Sequence, residues 1–370
     1  MLQPSLHIVT FDNPFPPDYG GAIDVFYKVK ALHQAGIRIY LHCYSKDRLQ
    51  TEPLLEICHE LYMYKKSSKI TSLFSRLPLA VAVRRDKRLL NNLLATEAPI
   101  LFEGLQTTWP LIQIEFDNQR TFVRAHNIEH DYYNGLASST TNYFKKLLFK
   151  MEVQKLRSYE NIITKLHGIF SLSRNDQRHF SRFVKSSKYI PVFHQHKVVN
   201  DLSDYGNYAF YHGDLSVADN LRVAKFLITA FCEIEYPLVI AGKSNLKELE
   251  TLADGQNNIQ IVHLSSETIL KALFDDAHIN ICWSFQQTGT KLKVLNSLYQ
   301  GRHCIINDKV VDEKSVQQLC TQVENSQSLK DAIELLAKLP YQDCSIRQEV
   351  LDAIYNTEIN AKKIIDFIFG

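Results

Sequence analysis

Short apolar runs alternate with segments of helical period along nearly all of this chain, an order that few architectures accept. Leu6–Phe11 reads as a buried strand. Gly20–Gly36 follows as a helix, with Ala22, Val25, Val29 and Leu32 on one face and Gly36 as its stop. Ile37–Cys43, Ile100–Glu103, Thr121–His126 and His167–Ser173 read as further strands, and Asn142–Lys165 as a long amphipathic helix. After residue 207 the pattern repeats: strands at Tyr208–Gly213, Leu238–Ala241, Ile259–Leu264, His278–Ser284 and His303–Asn307, with helices at Asn220–Phe231, Glu267–Asp275 and Lys291–Gln300. Strand–helix–strand order with short connections specifies parallel, doubly wound sheets.

Two such runs flank the polar stretch Pro191–Asn207, which has neither period and reads as a linker. At 370 residues the chain is long enough for two domains. The expected fold class is therefore α/β, with two Rossmann-like parallel-sheet domains facing a cleft. Residues 1–195 form the first domain, 204–345 the second, and 346–370 a terminal helix. Ligands of such sheets bind beyond the carboxyl ends of the strands, so the site is sought there.

Three strand ends carry candidate chemistry. The first strand runs into a Pro-rich loop and then Gly20-Gly21 at a helix start, where bare backbone N–H groups and the helix dipole favour an anion. The plainer alternative is a turn needing glycine. Strand Thr121–Ala125 ends in His126, with Glu129 and His130 just beyond, a combination suited to acid–base or orienting work. Zinc would need an H-E-x-x-H pair, which is missing. The segment Phe285-Gln286-Gln287-Thr288-Gly289-Thr290-Lys291-Leu292-Lys293 opens a helix directly after a strand. Its hydroxyl and backbone donors beside Lys291 and Lys293 suit a diphosphate. Gly242-Lys243 is a weaker version of that device.

Together these segments resemble the GT-B glycosyltransferases, most of all the family-4 group of nucleotide-sugar-dependent enzymes. The resemblance runs through nearly the whole chain, in order. It is carried by Gly20-Gly21, Arg124-Ala-His126-Asn, Phe170-Ser-Leu-Ser173, His212-Gly213 through Asn220, Val239-Ile-Ala-Gly242-Lys243, and Gly289-Thr-Lys-Leu-Lys-Val-Leu-Asn296 through Gly301. It implies that Gly20 and Gly21 face the donor phosphates and the reaction centre, and that His126 lies near the transferred sugar. It implies that Gly213 and the backbone around Leu264 and Ser265 meet the nucleotide. Gln287, Thr288, Gly289 and Thr290 would cradle the diphosphate, helped by Lys291 and Lys293. The terminal helix would cross back onto the first domain. Configuration would be retained, and neither metal nor cofactor is implied, because helix termini and basic side chains stabilise the leaving group.

The chain departs from that group in four places. Asp214 and Ala218-Asp219 stand where an Arg and a Lys are usual, and Thr288 and Asn296 where two glutamates are usual. The phosphate charge then falls mainly on Lys291, with Lys293 or Lys243. Sugar transfer to a glycan or lipid-linked acceptor is the leading expectation. The alternatives are a nucleotide-binding scaffold without turnover and a nucleotide-sugar epimerase.

The net charge of +2 hides an uneven distribution. Residues 1–200 hold 27 Lys/Arg against 17 Asp/Glu, and residues 201–370 hold 15 against 23. Basic residues of Lys65–Arg88, and Lys145, Lys146, Lys150, Lys155 and Arg157 among Phe144, Leu147, Leu148 and Met151, suit an anionic membrane surface. The plainer alternative is solvated lysines on helix faces. No basic motif interleaved with aromatics suggests nucleic acid. Seven cysteines without C-x-x-C spacing, and no apolar leader, predict the cytoplasm, and the basic segments among apolar residues would add peripheral attachment at a membrane's inner face.

Overall fold

The computed structural model describes residues 3–140, 142–286, 292–342 and 345–370. The chain divides into two compact units. Residues 1–137, 142–195 and 355–370 form the first, and residues 138–141 and 196–354 the second.

The first unit is built on seven parallel strands: β1 (Ser5–Thr10), β2 (Arg38–Ser45), β3 (Glu60–Lys65), β4 (Ile100–Glu103), β5 (Thr121–Ala125), β6 (Gly168–Ser171) and β7 (Ser187–Tyr189), in the order β3-β2-β1-β4-β5-β6-β7. Its central strands are buried on both faces, as a sheet covered on both sides requires. Ile8, Leu41, Leu101 and Phe122 pack on one side against Val25, Val29 and Leu32 of the helix Gly20–Gln34. Val9, Phe102, Val123 and Ile169 fill the other side.

The helix Thr357–Phe369 closes the first of these layers through Ala361, Ile364 and Ile368. It packs so closely that a Cβ on Gly168 would stand 2.5 Å from the Phe367 ring. The sequence reads residues 346–369 as one helix, but the structure breaks it at Asn356. That side chain accepts from the N–H groups of Glu358 and Ile359 and starts a new helix. Residues 346–354 belong to the second unit.

The second unit holds six parallel strands: β8 (Tyr208–His212), β9 (Leu238–Gly242), β10 (Ile259–His263), β11 (Ala277–Cys282), β12 (His303–Ile306) and β13 (Thr321–Gln322), in the order β10-β9-β8-β11-β12-β13. The helix Ala218–Phe231 lays Val223, Leu227 and Phe231 on Ile240, Ile279 and Ile281. Among the described residues no helix is long and apolar enough to cross a membrane.

Candidate functional site

In each sheet the strand order reverses once, between β1 and β4 in the first and between β8 and β11 in the second. Loops leaving the two strands of such a pair diverge and open a crevice at their carboxyl ends. Each unit places a polar cluster there.

In the first unit the cluster is a chain of charges. Asp24 and Lys28 lie one turn apart on the buried face of the helix Gly20–Gln34. Arg124 of β5 donates from Nε and Nη2 to the two oxygens of Asp24, both at 2.8 Å. Lys28 Nζ bridges Asp24 at 3.2 Å and Glu103, at the end of β4, at 2.7 Å. Glu103 in turn lies 3.0 Å from His126 Nε2. Asp24, Lys28, Glu103 and Arg124 are wholly buried, while His126 keeps 11% of its side chain exposed.

Burial alone would raise the carboxyls of Asp24 and Glu103. Arg124 and Lys28 overcome that for Asp24, and Lys28 and His126 for Glu103, holding both below the usual range. Because a carboxylate only accepts, His126 Nε2 carries the proton of this bond. Donor atoms of Asp24, Glu103 and His126 lie within 4.8 Å of one another, close enough for a metal ion. Lys28 and Arg124 already supply the positive charge an ion would bring, so this set does not fit one. His130 turns elsewhere, with Nδ1 3.5 Å from Glu160.

Gly21 lies beside this cluster for a steric reason. A Cβ there would come 2.7 Å from the Phe11 ring, and that ring meets His126 edge-on at 5.3 Å. The loop between them is held by cations: Arg84 Nε on the Phe11 carbonyl at 2.9 Å, Lys66 on Asp12 at 3.0 Å and Arg48 on Asp18 at 2.7 Å.

Glu129, three residues past His126, is buried, and burial pushes its carboxyl up to about 7 despite Arg84. Its folded value exceeds the ordinary 4.5, so the folded protein retains a proton that the unfolded chain releases between those values. Stability from this group is greatest below the lower value and is lost as pH rises through the upper one. Glu129→Gln is therefore expected to stabilise the protein by roughly 3 kcal/mol at about pH 8.5, with the gain vanishing near pH ~4.5. Denaturant titrations across that range check this, and a pH-independent difference would refute it.

In the second unit, β8 ends at His212 and Gly213. Lys293, at the start of the helix Leu292–Gln300, donates to Asn220 Oδ1 at 3.0 Å and Tyr211 OH at 3.2 Å, and lies over the Tyr211 ring. Gly213 adjoins Asn220, whose amide holds the Asp214 carbonyl at 2.9 Å. Burial, with Lys293 nearby, lowers His212 to about 3, so its imidazole is neutral. Its Nε2 has no hydrogen-bond partner among the described residues.

The acids at this edge have structural tasks. Asp214 Oδ1 accepts from the Ser216 hydroxyl at 2.6 Å and its N–H at 3.0 Å. Asp219 accepts from the Ser284 hydroxyl at 2.7 Å and the Phe285 N–H at 3.2 Å, tying the helix after β8 to the loop after β11. Asn296 Oδ1 meets His196 Nε2 at 2.9 Å.

The structure thus groups Gly20, Gly21 and His126 in the first unit, and Gly213 and Lys293 in the second. Gly242 serves packing, since a Cβ there would stand 2.6 Å from Leu215 Cγ. Leu264 is buried, with its N–H on the Gly242 carbonyl at 2.9 Å. Ser265 and Lys243 are exposed. Gln287, Thr288, Gly289, Thr290 and Lys291 lie outside the described residues. Sequence reasoning missed Asp24, Lys28 and Glu103. The available signal was Asp24 and Lys28 four apart among apolar helix positions, and a glutamate closing an apolar strand.

No family model matches the chain. A Klebsiella pneumoniae protein described as an uncharacterized 44.6 kDa protein in the cps region is 26% identical over 314 residues, 79% of each chain. Among solved structures, sucrose-phosphate synthase from Thermosynechococcus elongatus matches with a TM-score of 0.71 at 14% identity, over 98% of both chains. Anabaena HepE in complex with UDP-glucose gives 0.65 at 11% identity over 98% of each. A glycosyltransferase from Rickettsia africae gives 0.64 at 14% identity, covering 100% of this chain and 98% of its own. At these identities the likeness speaks for architecture, and the architecture of this chain is the GT-B fold of glycosyltransferases.

Proposed function

We propose that this protein transfers a sugar from a nucleoside-diphosphate sugar to a hydroxyl of a glycan or lipid-linked acceptor in polysaccharide synthesis. The bond from the anomeric carbon to the diphosphate oxygen breaks, a bond to the acceptor oxygen forms, and a nucleoside diphosphate leaves, taking up the proton of the acceptor hydroxyl. The observation that carries this reading is a polar cluster at the strand-order reversal of each sheet, on a fold whose neighbours include a complex with UDP-glucose. The cps-region relative supports the pathway class.

In this reading the second unit takes the donor. Lys293 and the N-terminus of its helix stabilise the charge developing on the diphosphate, which needs no metal. Gly213 lets the nucleotide approach backbone, and His212, neutral and buried, offers a ring nitrogen beside it. In the first unit His126, oriented by Glu103, meets the transferred sugar. Configuration is retained. The Asn296–His196 bond favours a second reading, nucleotide binding without turnover, because that amide oxygen is already engaged.

Calorimetry with UDP, GDP and TDP, followed by detection of released diphosphate over an acceptor panel, separates the two. Lys293→Ala is expected to weaken nucleotide binding roughly tenfold, the worth of one charge-assisted contact. Unchanged affinity would remove Lys293 from the donor site. Binding without release across the panel would favour the second reading.

A further inference from the structure

In the first unit the helix Tyr143–Tyr159 buries side chains mainly in its C-terminal half, with Phe149 half-buried against Tyr133 before it. Glu152, Val153 and Leu156 are buried, whereas Tyr143, Phe144, Leu147, Leu148 and Met151 are all exposed, the first two by 74% and 77%. At about 100° per residue these five form a stripe roughly 140° wide, turned away from the buried side. Lys150 borders one flank of the stripe, and Lys146 and Lys145 lie about 60° beyond its two edges.

A second exposed apolar element adjoins it. In the short helix Lys69–Leu73 and the residue after it, Ile70 is 72% and Phe74 89% exposed. Lys155 Nζ donates to the Leu73 carbonyl at 3.4 Å, and Glu152 accepts from the N–H of Leu79, which opens the next short helix, at 2.6 Å. Two exposed apolar segments of the same unit are thus tethered through Lys155, with Lys69 beside one and Lys145, Lys146 and Lys150 on the other. Glu152 on the same helix is buried and paired with Lys155 at 3.0 Å. An exposed patch of large apolar side chains is rare on a protein that stays free in solution.

We propose that this face docks on an anionic lipid surface, the aromatic and aliphatic side chains entering the headgroup boundary and the lysines meeting the lipid charge. Charge complementarity selects this occupant: apolar residues bordered by lysines suit a negative bilayer surface, whereas a second copy would bring the same lysines into mutual repulsion. The inference goes beyond sugar transfer and does not depend on it, because docking is read without donor or acceptor.

The test is co-sedimentation of the full chain with vesicles of phosphatidylcholine alone and with roughly one quarter phosphatidylglycerol. Binding is expected to the anionic vesicles only, and to be released by about 0.5 M NaCl. Phe144→Ser/Leu148→Ser and Lys145→Glu/Lys146→Glu are each expected to lose about tenfold or more in partition. All four positions are exposed, and circular dichroism confirms that the variants fold. Leu147→Trp adds a direct reading, a blue shift of its emission on anionic vesicles. Equal binding to both vesicle types, or variants that bind like the parent, would overturn the proposal. So would a dimer in sedimentation velocity that the serine variant splits while neither protein binds vesicles.

Discussion

Replacing Arg124 by leucine is expected to destabilise the first unit by about 3–5 kcal/mol, because it strands a buried Asp24 carboxylate. Arg124 gives Asp24 two 2.8 Å bonds and also donates to the carbonyls of Ile190 at 3.2 Å and Pro191 at 2.9 Å. Lys28 remains near Asp24 in the variant but already serves Glu103. The pH dependence gives a second signature. In the parent, Asp24 titrates below its ordinary value, so its contribution is present at neutral pH and lost only as pH falls through the folded value. Without Arg124, burial governs, the carboxyl titrates high, and the variant regains stability relative to the parent as pH falls. The double variant Arg124→Leu/Asp24→Leu is expected to recover most of the loss, since removing both charges removes the desolvation penalty. Denaturant unfolding monitored by amide exchange in β5 reads all three proteins. A loss under about 1 kcal/mol for Arg124→Leu would mean that the pair is not holding the unit together.

His126→Ala is expected to lower turnover by roughly 10²–10³-fold, the range over which a positioned hydrogen-bonding or proton-handling group acts. Glu103→Gln tests the arrangement behind it. Glu103 is fully buried and would reach the proposed reaction centre only through His126 Nε2, which in that reading makes it a positioning residue. Its replacement should lower kcat with little change in donor KM and shift the pH profile, because the imidazole loses the carboxylate that fixes its proton. A purely structural role would instead show as lost stability with an unaltered profile in the folded fraction. Rates are followed as nucleoside-diphosphate release. If His126→Ala leaves kcat unchanged, His126 is outside the reaction centre.

The architecture was largely legible because buried parallel strands advertise themselves. Ile-Val, Ile-Leu-Phe and Phe-Val runs between helical segments have few alternatives. The strands missed were β3, Glu-Leu-Tyr-Met-Tyr-Lys, which is half-exposed at the sheet edge, β7, three residues long, and β13, two residues long. None carries the continuous apolar signal of a central strand. The break at Asn356 was hidden because the apolar period runs through it, while a capping side chain ends one helix and begins another. In the site, His126 was visible as a polar residue closing a strand. Its partners were not, because Glu103 lies 23 positions away and Arg124 lies 100 positions from Asp24. Sequence marks the end of a strand but not which distant side chain will meet it there. The roles of Asp214 and Asp219 were hidden similarly. Standing where an Arg and a Lys are usual, they spend their oxygens on neighbouring hydroxyl and backbone donors.

The helix Thr357–Phe369 gives the chain an order of completion. It supplies Ala361, Ile364 and Ile368 to the first unit's core, seats Phe367 on Gly168, and offers its Ile368 carbonyl to Arg120 at 2.8 Å. During synthesis the first sheet is made well before these residues exist, while the second unit is complete by residue 354. Domains usually mature in the order in which they leave the ribosome. Here the earlier-made half keeps an apolar face uncovered until the later-made half has emerged. A nascent chain stopped before residue 357 should therefore be a chaperone client through its older unit.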